Sequence, residues 1–142
     1  MNKEAMPEAV SSAIPDVIRG VQHLEEAARL AVAAVPGLQA KDNDPEIGQM
    51  RRTVVAALQA THLGPDADPA ADPDAAIDAV ETSYQLLKAS LLAQASRPGA
   101  DLEAVERRLL QIQQMRRCAM AVWKARQRLG RWLDPLCTDI RP

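Results

Sequence analysis

Arg117, Lys124, Arg128 and Arg131 follow one another at intervals of seven, four and three residues. At 100° per residue they fall within about 60° of arc on a helix, which makes one cationic ridge. The chemistry open to such a ridge is attraction rather than bond-making: an acidic protein surface, nucleic acid or anionic lipid. Trp132 stands beside Arg131, and a tryptophan next to arginine is a frequent anchor in interfaces. Arg117, Lys124, Arg128, Arg131 and Trp132 are therefore the expected partner-binding residues.

The rest of the chain sharpens this contrast. Residues 1–106 hold 8 Lys/Arg against 17 Asp/Glu, residues 107–142 hold 9 against 2, and the whole carries −2. A nearly neutral, slightly acidic total disfavours dedicated nucleic-acid binding and favours another protein as partner. The competing reading is a solvated face, or one neutralised by the acidic helices of the same chain.

Other reactive residue types offer less. His23 and His62 lack the Glu-x-x-His spacing of a di-metal bundle, so no metal is expected. Asp66, Asp68, Asp72 and Asp74 are dense enough for a calcium loop. Counting from Asp66, however, Ala71 and Ile77 occupy the places that need glycine and a bidentate glutamate. Helix caps and a solvated linker explain these aspartates better. Cys118 and Cys137 are too few for a disulfide framework and read as free thiols. No phosphate loop or nucleophile–base set is present, so neither catalysis nor a cofactor is expected.

These side chains need helices to hold them. Alanine supplies 26 residues of the 142, Phe is absent, and only Tyr84, Trp123 and Trp132 are aromatic. With no alternating β-branched run, the chain reads as all-α. One helix is expected over about residues 13–35, with Ile14, Val17, Val21, Leu24, Ala28, Ala31 and Val35 as its seam. A second opens at Asp44-Pro45-Glu46, where a capping acid precedes proline at the first helical position. It shows Ile47, Met50, Val54, Ala57 and Leu58 on one face. A polar linker spans 64–73. A third helix from Asp72-Pro73 carries Ile77, Val80, Tyr84, Leu87 and Leu91, and Arg97-Pro98-Gly99 breaks it. The fourth starts at Asp101 and runs to about Leu133, between a flexible 1–12 at the other end of the chain and an irregular tail at 135–142.

A repeat ties these elements together. Ile47-Gly-Gln-Met-Arg-Arg-Thr-Val-Val-Ala56 returns as Ile112-Gln-Gln-Met-Arg-Arg-Cys-Ala-Met-Ala121. The first and third helix seams align at an offset of 63. The expected architecture is a single-domain antiparallel four-helix bundle of two consecutive αα-hairpins, by internal duplication. Incompletely filled alanine faces would also let two copies pair as a homodimer.

No segment reaches about 18 consecutive apolar residues, so no membrane span is expected, and the address is expected to be cytoplasmic. Amphipathic helices, a basic ridge and no reaction motif point to a non-enzymatic interaction module: an adaptor, secretion-type chaperone, immunity or regulatory protein. A regulator that binds nucleic acid or an anionic surface is the alternative, and an enzyme without a recognisable motif the second.

Overall fold

The computed structural model describes residues 8–38 and 45–140, with side chains described for 13–34 and 45–131. It consists of four helices: α1 (Glu8–Leu38), α2 (Pro45–Ala60), α3 (Pro73–Ala95) and α4 (Leu102–Ile140). Among the described residues there is no strand. The fold is the expected four-helix bundle.

Cross-links between helices fix its directions. Asp74 on α3 meets Trp123 and Gln127 on α4, while Glu81 meets Arg116, so these two helices run antiparallel. The C-terminal end of α2 reaches the middle of α1 through Leu63 and Glu25. Arg126 of α4 donates to the Ala60 carbonyl at 2.7 Å, which places the end of α2 level with the 120s of α4. An arginine at that point also complements the negative end of the α2 dipole.

The packing is a rhombus. α1 touches α2 and α4, α3 touches the same two, and α2 touches α4 across the short diagonal. Among the described residues no Cα of α1 comes within 8 Å of one in α3. The repeated segments thus meet at the centre, and the repeat's inward positions form the core: Met50, Val54, Ala57 and Leu58 on α2 with Ile112, Met115, Ala119 and Val122 on α4. Ile77, Val80, Tyr84, Leu87 and Leu91 of α3 are all buried, as their spacing predicts.

Local signals explain the element ends. The Asp72 side chain accepts from the backbone N–H groups of Asp74 and Ala75 at 3.1 Å, with Pro73 at the first helical position. Asp101 accepts from the Ala104 N–H in the same way. Between α3 and α4 Gly99 has φ of +76°, where a side chain would be strained. Replacing Asp72 by alanine leaves two first-turn N–H groups to water. It is expected to cost about 1 kcal/mol in urea unfolding, with asparagine restoring most of it.

The structure departs from the sequence expectation in three places. Residues 8–12, expected to be flexible, are helical, while residues 1–7 lie outside the described residues. α1 carries Pro36-Gly37 inside its last turn and ends one residue beyond them. α4 continues through Pro135 to Ile140 instead of yielding to an irregular tail; residues 141–142 lie outside the described residues. Proline inside a helix removes one bond to the carbonyl four residues back. For Pro135 that carbonyl belongs to Arg131, an exposed residue where water can take the place of the lost donor.

A fourth difference concerns register. The buried stripe of α1 is Val21, Glu25, Ala28 and Val32, whereas Leu24 is half-buried and Ala31 exposed. A carboxylate has taken an inward position, and the helix has turned Leu24, Ala27 and Ala31 towards the outside of α4.

Candidate functional site: a cationic groove between α1 and α3

Because α1 and α3 stand apart, the outer face of α4 forms the floor of an open groove. Leu24 of α1 and Tyr84 of α3 line opposite sides of a space of about 620 Å³, with Arg116, Arg117, Met120 and Lys124 among its floor residues. Arg128 and Ala121 lie on the same floor. A second, apolar trough of about 480 Å³ runs between α1 and α4, lined by Ala27, Ala31, Met115, Cys118 and their neighbours. The two share Leu24, Arg117 and Ala121, so they adjoin along α4.

The cations of α4 fall into two sets. Arg116 is partly buried: its Nε donates to Glu81, and its guanidinium lies 5.0 Å from the centroid of the Tyr84 ring. That hydrogen bond, aided by one from Gln85, holds the Glu81 carboxyl below its ordinary range, and it raises Arg116. Lys88 approaches the same ring at 5.8 Å. Arg116 is therefore neutralised inside the bundle, as Arg126 is engaged at the end of α2.

Arg117, Lys124, Arg128 and Arg131 are different. All four are exposed, and none makes an ion pair or hydrogen bond with another described residue. Arg117, Lys124 and Arg128 line the groove, while Arg131 lies further along the helix. The side chain of Trp132 lies outside the described residues. Among the described side chains, neutralisation by the chain's own acidic groups thus holds for Arg116 and not for the ridge.

Cys118 faces the apolar trough, and burial pushes its thiol above the ordinary range despite the nearby Arg117 charge. A thiol held protonated is a poor nucleophile at neutral pH. Trp123 is half-buried: it packs against the core while its Nε1 donates to Asp74 at 2.9 Å. The polar tip keeps it at the rim.

Sequence reasoning missed a second polar cluster, at the end of the bundle. Glu25 is only 2% exposed, and its two oxygens accept from the Leu63 backbone N–H at 3.0 Å and from His62 Nδ1 at 2.8 Å. His62 Nε2 meets Asp66 at 2.9 Å. Ionised carboxylate oxygens only accept, so both hydrogen bonds form together when both ring nitrogens of His62 carry protons, which favours its imidazolium form. The hydrogen bond to Asp66, then that to Glu25, raises His62 above 6.5; the His62 bond lowers Asp66.

Gln22 closes the cluster by donating to the Leu63 carbonyl at 2.7 Å. Gly64 leaves room beside it, because a Cβ there would sit 2.7 Å from His62 Nε2 and push the imidazole from its place. The cluster joins α1 to the linker and leaves His62 with both nitrogens engaged, which makes it a structural clamp.

Each of the four aspartates between 66 and 74 is engaged. Asp66 holds His62, Asp68 accepts from the Ala70 N–H, Asp72 caps α3 and Asp74 receives Trp123 and Gln127. Among the described residues no group of three His, Cys, Asp or Glu is arranged to hold a metal ion. No helix among them is long and apolar enough to cross a membrane. Compared with protein-family models, curated proteins and solved structures, the chain matches none.

Proposed function

We propose that this chain is a non-enzymatic interaction module of the adaptor or chaperone type, which holds a partner protein against the exposed face of α4. The carrying observation is the contrast on one helix: Arg116 is neutralised by Glu81, whereas Arg117, Lys124 and Arg128 are exposed without an ion pair to any described residue. Exposed cations cost little as they stand, and they direct encounter with an acidic surface. The apolar trough alongside supplies what charge alone does not, area that gains by leaving water. The overall charge of −2 favours protein over nucleic acid in this reading. A cytoplasmic address belongs to the same reading.

The test is affinity capture from lysate of the source cells, with nuclease added. Wild-type protein is compared with the triple variant Arg117→Glu, Lys124→Glu, Arg128→Glu. One protein is expected to be recovered by the wild type and reduced about tenfold by the variant, a loss of about 1.4 kcal/mol. Recovery that is equal for both, or that nuclease abolishes, would remove this reading.

A further inference from the structure

We infer that the groove between α1 and α3 seats one acidic amphipathic helix of the partner, which completes the bundle as a fifth helix. The inference rests on the proposed function and adds the occupant.

Shape comes first. The depression lies along α4, with α1 on one side and α3 on the other, and Leu24 and Tyr84 face it from the two sides. Its apolar part presents Ala27, Ala31 and Ala121, all exposed, beside the half-buried Cys118. Small side chains let a helix axis approach to about 8–10 Å. A helix also satisfies its own backbone. A segment that added as a β-strand would need an open sheet edge for its N–H and C=O groups, and among the described residues there is no strand.

Charge supplies the second requirement. Arg117, Lys124 and Arg128 stand at successive intervals of about 10.5 and 6 Å along the α4 axis. A packed helix with carboxylates at the same seven- and four-residue spacing brings each near a cation, while its adjoining apolar stripe enters the trough. Phosphate backbones, by contrast, bind chiefly by surface charge and gain little from an alanine-lined hollow.

The sequence shows why the described residues leave this side of the bundle unfilled. At the 63-residue offset, Ala28 of α1 stands where α3 has Leu91, and Leu24 where it has Leu87. Leu87 and Leu91 are buried, whereas Leu24 is half-buried and Ala28 is a small residue lining the trough. The α1 side therefore lacks side-chain volume that the α3 side supplies.

The test uses a fluorescein-labelled synthetic helix of about 18 residues, long enough to span the three cations. It carries Glu at seven- and four-residue intervals on one face, with Leu and Ala beside them. A scrambled peptide of the same composition, a DNA duplex, and phosphatidylcholine vesicles containing phosphatidylglycerol serve as comparison probes. The helix is expected to raise anisotropy and gain helical circular dichroism on binding. Scrambling is expected to weaken binding about tenfold, as is the triple glutamate variant. Ala121→Trp fills the trough from an exposed position and is expected to weaken it similarly, with its melting temperature as the control for folding.

Unchanged binding by Ala121→Trp, equal binding of the scrambled peptide, or no binding of the helix would overturn the fifth-helix inference. A partner lost from lysate with the triple variant would still support the broader function. Preference for the duplex or the vesicles would overturn it too. So would light scattering that shows a dimer abolished by Ala121→Trp, because a second copy would then be the occupant.

Discussion

His62→Ala is expected to destabilise the protein by about 2–3 kcal/mol, although His62 itself is partly exposed. The cost falls on Glu25. With the imidazole gone, a carboxylate that is 2% exposed retains only the Leu63 N–H among the partners described. Glu25→Gln should cost less, because an amide can still accept from Leu63 and donate to a neutral His62. The same cluster predicts a pH optimum. His62 is raised above 6.5 in the folded state, so its contribution is complete below 6.5 and is lost as pH rises through the raised value. Asp66 is lowered from 3.8, so its contribution is complete above 3.8 and lost as pH falls through the lowered value.

The cluster is therefore most stabilising between 3.8 and 6.5. The other charges facing it, Glu26 and Arg29 on α1, are paired with each other at 3.2 Å. Differential scanning calorimetry from about pH 5 to about pH 9 should show the wild-type melting temperature falling relative to that of His62→Gln. Parallel pH profiles for the two proteins would show that His62 is not the titrating clamp.

The parts legible in the sequence were those governed by periodicity and caps. All five α3 seam residues are buried where spacing puts them, and Asp72 and Asp101 cap as their positions suggest. The ridge was legible too, because exposure on one helix follows from angle alone. Its walls were not. That α1 and α3 stand apart is a property of packing between helices, and no local pattern encodes it. The register of α1 was missed for a related reason. Glu25 lies between Val21 and Ala28 on the stripe that packs inward, but sequence alone treats a carboxylate as outward. What reverses this is His62 and the Leu63 N–H, 37 and 38 residues away. The one signal in the chain was a glutamate four residues after one core residue and three before another. α1 and α4 continue past Pro36 and Pro135, because a proline near a helix end costs one backbone bond there without stopping the helix.

The repeat offers an experiment in which identical residues should behave differently. Ile47 and Ile112 occupy the same place in the repeated segment, yet Ile112 is fully buried and Ile47 only half-buried. The cause is position along the helix. Ile47 is the third residue of α2, at the end of the bundle, whereas Ile112 lies eleven residues into α4, with the core on both sides along the axis. Ile112→Ala should therefore cost about 3–4 kcal/mol, from lost burial plus a cavity the surrounding helices cannot collapse. Ile47→Ala should cost about 1–2 kcal/mol, because solvent and the first turn of α2 can adjust around the gap. Against a total of about 5–15 kcal/mol for a domain this size, the first change removes a large share of stability and the second a small one. Urea unfolding of both variants measures the difference directly. Equal costs would mean that the two halves of the chain are packed as equivalents. A large difference would mean that duplicated segments have been given unequal duties, with α4 as the central helix of the core and α2 as a shorter counterpart. That inequality bears on the groove, since α4 can present Arg117, Lys124 and Arg128 on its outer face only if Ile112, Met115 and Val122 anchor its inner one.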